Sequence, residues 1–113
     1  MFILGSTLRK LEAVLGGAVS ANQPEVAVTF TDRRADGTGG GQQTYLSALS
    51  GATPVTICPA PGVGITRVVE TINIYNKDTA SVTVSVNYDD NGTDYIICKR
   101  TLATLETLTY EDE

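Results

Sequence analysis

Between residues 72 and 110, apolar side chains recur at every second position. Ile72 and Ile74 alternate with polar neighbours, and so do Val82, Val84, Val86 and Tyr88. Period two marks a strand with one buried face. Asn76-Lys77-Asp78-Thr79 and Asp89-Asp90-Asn91-Gly92 separate these runs and supply turn chemistry. The pattern predicts an antiparallel meander with strands over residues 67–76 and 80–88 and a third beginning at Tyr95. Asn91-Gly92 predicts a two-residue type I′ turn. Such a turn sets Asp90 opposite Thr93, Tyr88 opposite Tyr95 and Asp89 opposite Asp94. The last is a like-charge pair, unfavourable by roughly a few tenths of a kcal/mol.

The same alternation appears elsewhere. Val26, Val28 and Phe30 share one face of a strand over 25–32. Val55-Thr56-Ile57-Cys58 is a short strand stopped by Pro59, and 59–64 is a Pro- and Gly-rich connection. Residues 45–49 give a weaker strand or turn. Residues 106–110 give a last short strand, followed by a solvated acidic tail of Glu111, Asp112 and Glu113. Residues 6–15 support two readings. Leu8, Leu11 and Leu15 fall at helical spacing, with Ser6 as N-cap and Gly16-Gly17 as stop. Leu11, Ala13 and Leu15 alternate like a strand. The expected fold is therefore all-β: an antiparallel β-sandwich, jelly-roll or Ig-like, of seven or eight short strands with room for one short helix. Residues 1–5 read as an apolar N-terminal arm, and 6–113 as a single domain.

Composition narrows the function classes. The chain has 113 residues and a net charge of −5, with a sequence pI near 4.5. Nucleic-acid binding needs a basic face, so it is not expected, and neither is attachment to an anionic membrane. No apolar run approaches the ~20 residues of a membrane span. No cleavage-site pattern follows Leu4, which predicts a cytoplasmic origin. The chain has no His and only two Cys, Cys58 and Cys98. That excludes a Cys/His zinc site and removes the commonest general base. The cysteines read as small buried thiols, whose pairing depends on whether their strands are neighbours. No G-x-S-x-G elbow occurs. The thirteen acids lie mostly in turns or at the tail, and Trp is absent. Neither an enzyme nor a bound cofactor is expected.

Two stretches carry candidate chemistry. Residues 33–43 read as the main loop, with Gly37, Gly39, Gly40 and Gly41 giving it wide backbone freedom. A phosphate cradle would need Lys-Ser/Thr and a helix after the last glycine, but Gln42-Gln43 follows. The loop is better read as a flexible surface loop, or as one ordered only by a partner. At the hairpin tip, Asp89, Asp90, Asn91 and Asp94 could offer oxygens to Ca²⁺, but the ligand series and terminal Glu of an EF-hand loop are missing. That tip reads as an ordinary solvated turn. Met1, Phe2, Ile3 and Leu4 have no core use visible in the sequence, so they join the four glycines as candidate partner contacts.

Arg67, Val69, Ile72, Ile74, Asn76, Asp78, Thr79 and Ala80 fit the pattern R-x-V-x-x-I-x-I-x-N-x-D-T-A. Leu102, Glu106, Thr107, Leu108, Tyr110 and Asp112 fit L-x-x-x-E-T-L-x-Y-x-D. Together with Lys10-Leu11-Glu12, Leu15-Gly16-Gly17-Ala18-Val19 and Asn22-Gln23-Pro24-Glu25 upstream, these resemble a family of small structural proteins of tailed bacteriophages. The likeness covers most of the chain except the Gly-rich stretch. It implies a virion protein made in the host cytoplasm, foremost a capsid decoration (cement) protein on the outer surface of the head. Its partners would be the major capsid protein or other virion proteins, and it would assemble as a trimer or dimer. A neck, tail or fibre-associated structural protein is the alternative within that class, and a host-surface glycan-binding module lies outside it.

Overall fold

The computed structural model describes residues 1–111. It has nine strands: β1 (Phe2–Leu4), β2 (Arg9–Leu15), β3 (Glu25–Arg34), β4 (Gly39–Ala48), β5 (Val55–Cys58), β6 (Ile65–Tyr75), β7 (Val82–Asp90), β8 (Thr93–Leu102) and β9 (Thr107–Glu111). They form two sheets. One is five-stranded, with order β1-β6-β3-β4 and β9 also paired to β6; the other is four-stranded, with order β5-β2-β7-β8. Among the described residues these strands all pair antiparallel. β1 and β9 share one side of β6, β1 against residues 67–69 and β9 against residues 71–75. No helix long and apolar enough to cross a membrane occurs among the described residues.

The core is built by the alternation seen in the sequence. Val26, Val28 and Phe30 of β3 and Val69, Ile72 and Ile74 of β6 face Leu11, Ala13 and Leu15 of β2 and Val82, Val84 and Val86 of β7. Each of these side chains is removed from water, and together they drive the two sheets together. The antiparallel β-sandwich is thus the architecture, with nine strands rather than seven or eight. The ninth is β1.

One open alternative is resolved, and two expectations need correction. Residues 9–15 are a strand, and no helix forms there. Leu11, Ala13 and Leu15 are buried, whereas Leu8 is 55% exposed. The helical reading required Leu8 on the buried face. The segment 1–5 is not a free arm, because Leu4 is completely buried in the core and Phe2 packs against it. A short strand with one buried residue is hard to see when all three of its residues are apolar. Finally, the Gly-rich loop is mostly strand. β3 runs on to Arg34, and β4 starts at Gly39, leaving residues 35–38 as the turn. β4 is exposed along nearly its whole length. With no buried face it has no apolar alternation, so the period-two signal cannot reveal it.

Other boundaries shift by a few residues, as is usual at frayed ends. The chain's expected tail reaches Glu111 within β9; Asp112 and Glu113 lie outside the described residues. Cys58 and Cys98 are both free and sit on opposite edge strands of the four-stranded sheet. Three strand spacings of about 4.8 Å separate those edges, far beyond the roughly 7 Å limit for a disulfide.

Candidate interaction surface

Two residues of the β6–β7 connection lock one end of the fold. Asn76 and Asp78, in the β6–β7 connection, are fully or almost fully buried. The Asn76 side-chain amide donates to the carbonyls of Ala80, Leu102 and Ala103, each at 3.1 Å. Its Oδ1 accepts the Asp78 backbone N–H at 3.0 Å. The Asp78 carboxylate accepts backbone N–H groups of Ser20, Ala21 and Asn22 at 2.9, 2.8 and 3.1 Å, and that of Thr79 at 2.8 Å. Hydrogen bonds to the ionised form hold its carboxyl down at about 2, against the opposing effect of burial. Thr104 Oγ1 donates to the Asp78 carbonyl. One turn thus ties together three connections at one end of the sandwich: 16–24, 76–81 and 103–106.

Arg67 closes the opposite end. Its guanidinium donates to both Asp32 oxygens, Nε at 2.8 Å and Nη2 at 3.0 Å, and Nη1 donates to the Pro59 carbonyl at 2.7 Å. It also lies 4.1 Å from the centroid of the Phe30 ring, a cation–π geometry. Beside it, Tyr88 of β7 donates its hydroxyl to the Ile3 carbonyl of β1 at 2.6 Å, linking the two sheets.

The Cys58 thiol is not activated. Burial pushes the Cys58 thiol up to about 11, even with Arg67 nearby. A thiol held that high is inert at neutral pH.

Beyond Arg67 the turns gather into an exposed end. Gly5, Ser6 and Thr7, then Arg33, Arg34 and Ala35, then Gly62, Val63 and Gly64 border one shallow depression. Leu8 and Val63 stand out from this end, Val63 at 90% exposure. Gly37 occupies the adjoining turn with φ +85°, where Asp36 Oδ1 accepts the Thr38 N–H at 2.9 Å and its hydroxyl at 2.6 Å. The proposed loop contacts therefore divide. Gly37 joins this end, while Gly39, Gly40 and Gly41 run along the edge of the five-stranded sheet in β4. The proposed arm contacts divide too: Met1 and Ile3 are exposed, Phe2 is half-buried and Leu4 is interior. The sequence does not single out Val63, because an apolar residue in a turn carries no periodic signal, and it presents Leu8 only as part of a candidate helix face.

Each sheet also ends in a ten-residue edge strand, β4 in one and β8 in the other. Leu46 on β4 and Tyr95 and Ile96 on β8 are exposed. Unpaired N–H and C=O groups along such edges are templates for another strand.

The hairpin tip adopts the register expected from the sequence. Asp89 faces Asp94, Tyr88 faces Tyr95 and Asp90 faces Thr93. Asn91 and Gly92 take φ values of +51° and +92°, the left-handed pair that a type I′ turn requires. Glu12 on β2 completes a cluster with Asp89 and Asp94, their ligand oxygens all within 4.8 Å of one another. Burial, followed by the neighbouring aspartates, holds the Glu12 carboxyl above its ordinary range, while Lys10 opposes this.

The fold and surface define an all-β sandwich module with open edge strands. No family model, curated protein or solved structure matches this chain.

Proposed function

We propose that this chain is a structural protein of a tailed-phage virion, a decoration (cement) protein that binds the outer surface of the head and stabilises the shell. The observation that carries the reading is the pair of long open edge strands, β4 and β8, with exposed Leu46, Tyr95 and Ile96. A multi-copy assembly protein needs a rigid body with edges and apolar side chains left for neighbours. Strand addition to such an edge supplies affinity through main-chain hydrogen bonds, and the exposed side chains supply specificity. The family likeness points the same way, and the residues that carry it sit in the rigid body.

In this reading the partners are the major capsid protein and further copies of the chain, as a trimer or dimer. The net charge of −5 keeps an unassembled pool soluble and repels packaged DNA, consistent with a place outside the shell. A density map of the intact particle that traces chains tests the proposal. The expected result is this sandwich on the outer lattice in hundreds of copies. Rings of about six or twelve copies at the neck or tail would overturn the head assignment. Saturable glycan binding by the purified protein, without particle occupancy, would overturn the virion-shell role altogether.

A further inference from the structure

Asn87 of β7 has a buried Oδ1 with no hydrogen-bond partner. The residue is only 7% exposed, although it lies on the outer face of the four-stranded sheet. Alternation fixes that face: Val84, Val86 and Tyr88 point toward the other sheet, so Ser85, Asn87 and Asp89 point away from it. On the outer face only neighbouring side chains can cover Asn87. Glu12 is directly opposite on β2 and Ile96 directly opposite on β8. Asp89 follows two residues along β7, with Asp94 across from it. Alternation and register therefore place the Asn87 side chain on the same face as the three carboxylates, next to Glu12. A buried acceptor among anions, with no donor, is an unfavourable arrangement that a cation would resolve.

We infer that Glu12, Asp89, Asp94 and the Asn87 side-chain carbonyl form a Ca²⁺ site on the outer face of the four-stranded sheet. Hard divalent cations take carboxylate and amide-carbonyl oxygens of this kind. Size selects among them. Oxygens bound to Ca²⁺ at about 2.4 Å can lie up to about 4.8 Å apart across the ion, whereas Mg²⁺ at about 2.1 Å requires about 4.2 Å. The three carboxylate oxygens here all lie within 4.8 Å of one another, close enough for one ion to meet all three. The geometry leaves the ligands available. Asp89 uses Oδ1 to accept the Gly92 N–H at 2.8 Å, leaving Oδ2. Lys10 Nζ stands 3.7 Å from Glu12 and 3.9 Å from Asp89, a peripheral counter-charge that an ion would displace. The ligand set differs from the turn residues suggested by the sequence: Asp90 instead pairs with Arg9 at 3.2 Å. The site joins β2, β7 and β8, so a bound ion would cross-link all three strands.

The test is calorimetric titration and thermal melting of the full chain, stripped with chelator, then given CaCl₂ or MgCl₂. Ca²⁺ is expected to bind with a single-site isotherm in the sub-millimolar to millimolar range and to raise the melting temperature by about 5 °C at saturation. Mg²⁺ should give a clearly smaller shift. Asp94→Asn should fold, because Asp94 is exposed and meets a like charge, and it should lose at least about 90% of the Ca²⁺ affinity. Asn87→Ala tests the orphan oxygen and should weaken Ca²⁺ without creating a Mg²⁺ preference. No heat and no melting shift at about 10 mM Ca²⁺ would overturn the site. So would an equal response in Asp94→Asn, which would mark the effect as general ionic screening.

Discussion

Asp78 and Ala21 are separated by 57 positions in the chain, yet the Asp78 Oδ1 accepts the Ala21 N–H at 2.8 Å. The same carboxylate holds the N–H groups of Ser20 and Asn22. A connector without regular structure therefore has its backbone donors satisfied by one distant acid. Asn76 supports that acid by accepting its N–H, and the Asn76 amide reaches on to Leu102 and Ala103. The two residues make the β6–β7 connection the hub on which one end of the sandwich is assembled.

This hub predicts an acid limb in the stability profile. The Asp78 carboxyl is held at about 2 in the folded chain, below the unfolded value of about 3.9. A depressed acid stabilises the fold above its unfolded pKa, and that contribution is lost as pH falls through the folded pKa. Stability should therefore decline between about pH 4 and pH 2. Asp78→Asn should lower the melting temperature at pH 7 by roughly 10 °C, since an amide replaces an ionised acceptor of several N–H groups. It should also flatten the acid limb. Melts of both proteins from pH 7 to pH 2 check this, and an unchanged acid limb in the variant would place the titration elsewhere.

Leu4 and Ile3 should separate folding from surface contact. Leu4 is completely buried, and Ile3 is 50% exposed. Leu4→Ala should destabilise by about 2–4 kcal/mol through lost burial and the cavity left behind. Ile3→Ser should change stability by no more than about 0.5 kcal/mol. Denaturant unfolding measures both. Deleting residues 1–5 should resemble Leu4→Ala or be worse, so loss of particle binding in that deletion would not by itself identify a contact.

The glycines of β4 are not equivalent. A Cβ on Gly39 would lie 2.9 Å from the Asp32 carbonyl oxygen, whereas one on Gly41 would meet nothing within 4 Å. The crowded position adjoins the irregularity between Thr31 and Arg33, where β3 bends past β4. Gly39→Ala should destabilise by about 1–3 kcal/mol as backbone shifts to relieve the clash. Gly41→Ala should be neutral or stabilise by up to about 1 kcal/mol, because it restricts the unfolded chain. Equal effects in chemical denaturation would show that the close approach at Gly39 does not constrain the hairpin.

What the sequence reveals follows from where a buried face exists. Val82, Val84 and Val86 announce their strand because every second side chain is in the core, and Asn91-Gly92 announces its turn through left-handed backbone. The register at Asp89 and Asp94 follows directly from that turn. β4 gives no such signal, since an overhanging edge strand buries neither face. β1 hides because Phe2, Ile3 and Leu4 are all apolar, so Leu4 cannot be told from its exposed neighbour. The interaction surface is the least legible part. Val63 meets Gly5, Ser6 and Thr7 only through turns distant in sequence, and Glu12 joins Asp89 and Asp94 only once β2 is known to pair with β7.

Leu105 carries the last prediction. It is 66% exposed yet takes φ +64°, a left-handed conformation that disfavours a residue with a branched side chain. The turn around it enforces this. Its N–H donates to the Asn76 carbonyl at 2.8 Å, the Glu106 N–H donates to the Ala103 carbonyl at 3.0 Å, and the Asn76 N–H returns to the Glu106 carbonyl at 3.0 Å. The strain is thus imposed by the hub and is not offset by packing of the leucine. Leu105→Gly should stabilise the isolated chain by about 1 kcal/mol, and Leu105→Asn by somewhat less. Equilibrium unfolding in urea measures the gain, with the m-value unchanged. A leucine retained at a cost to folding is expected where its exposed side chain meets a partner. Under the proposed decoration role, the stabilised glycine variant should bind phage heads less well than the parent, and undiminished occupancy would leave the strained leucine without a part in that role.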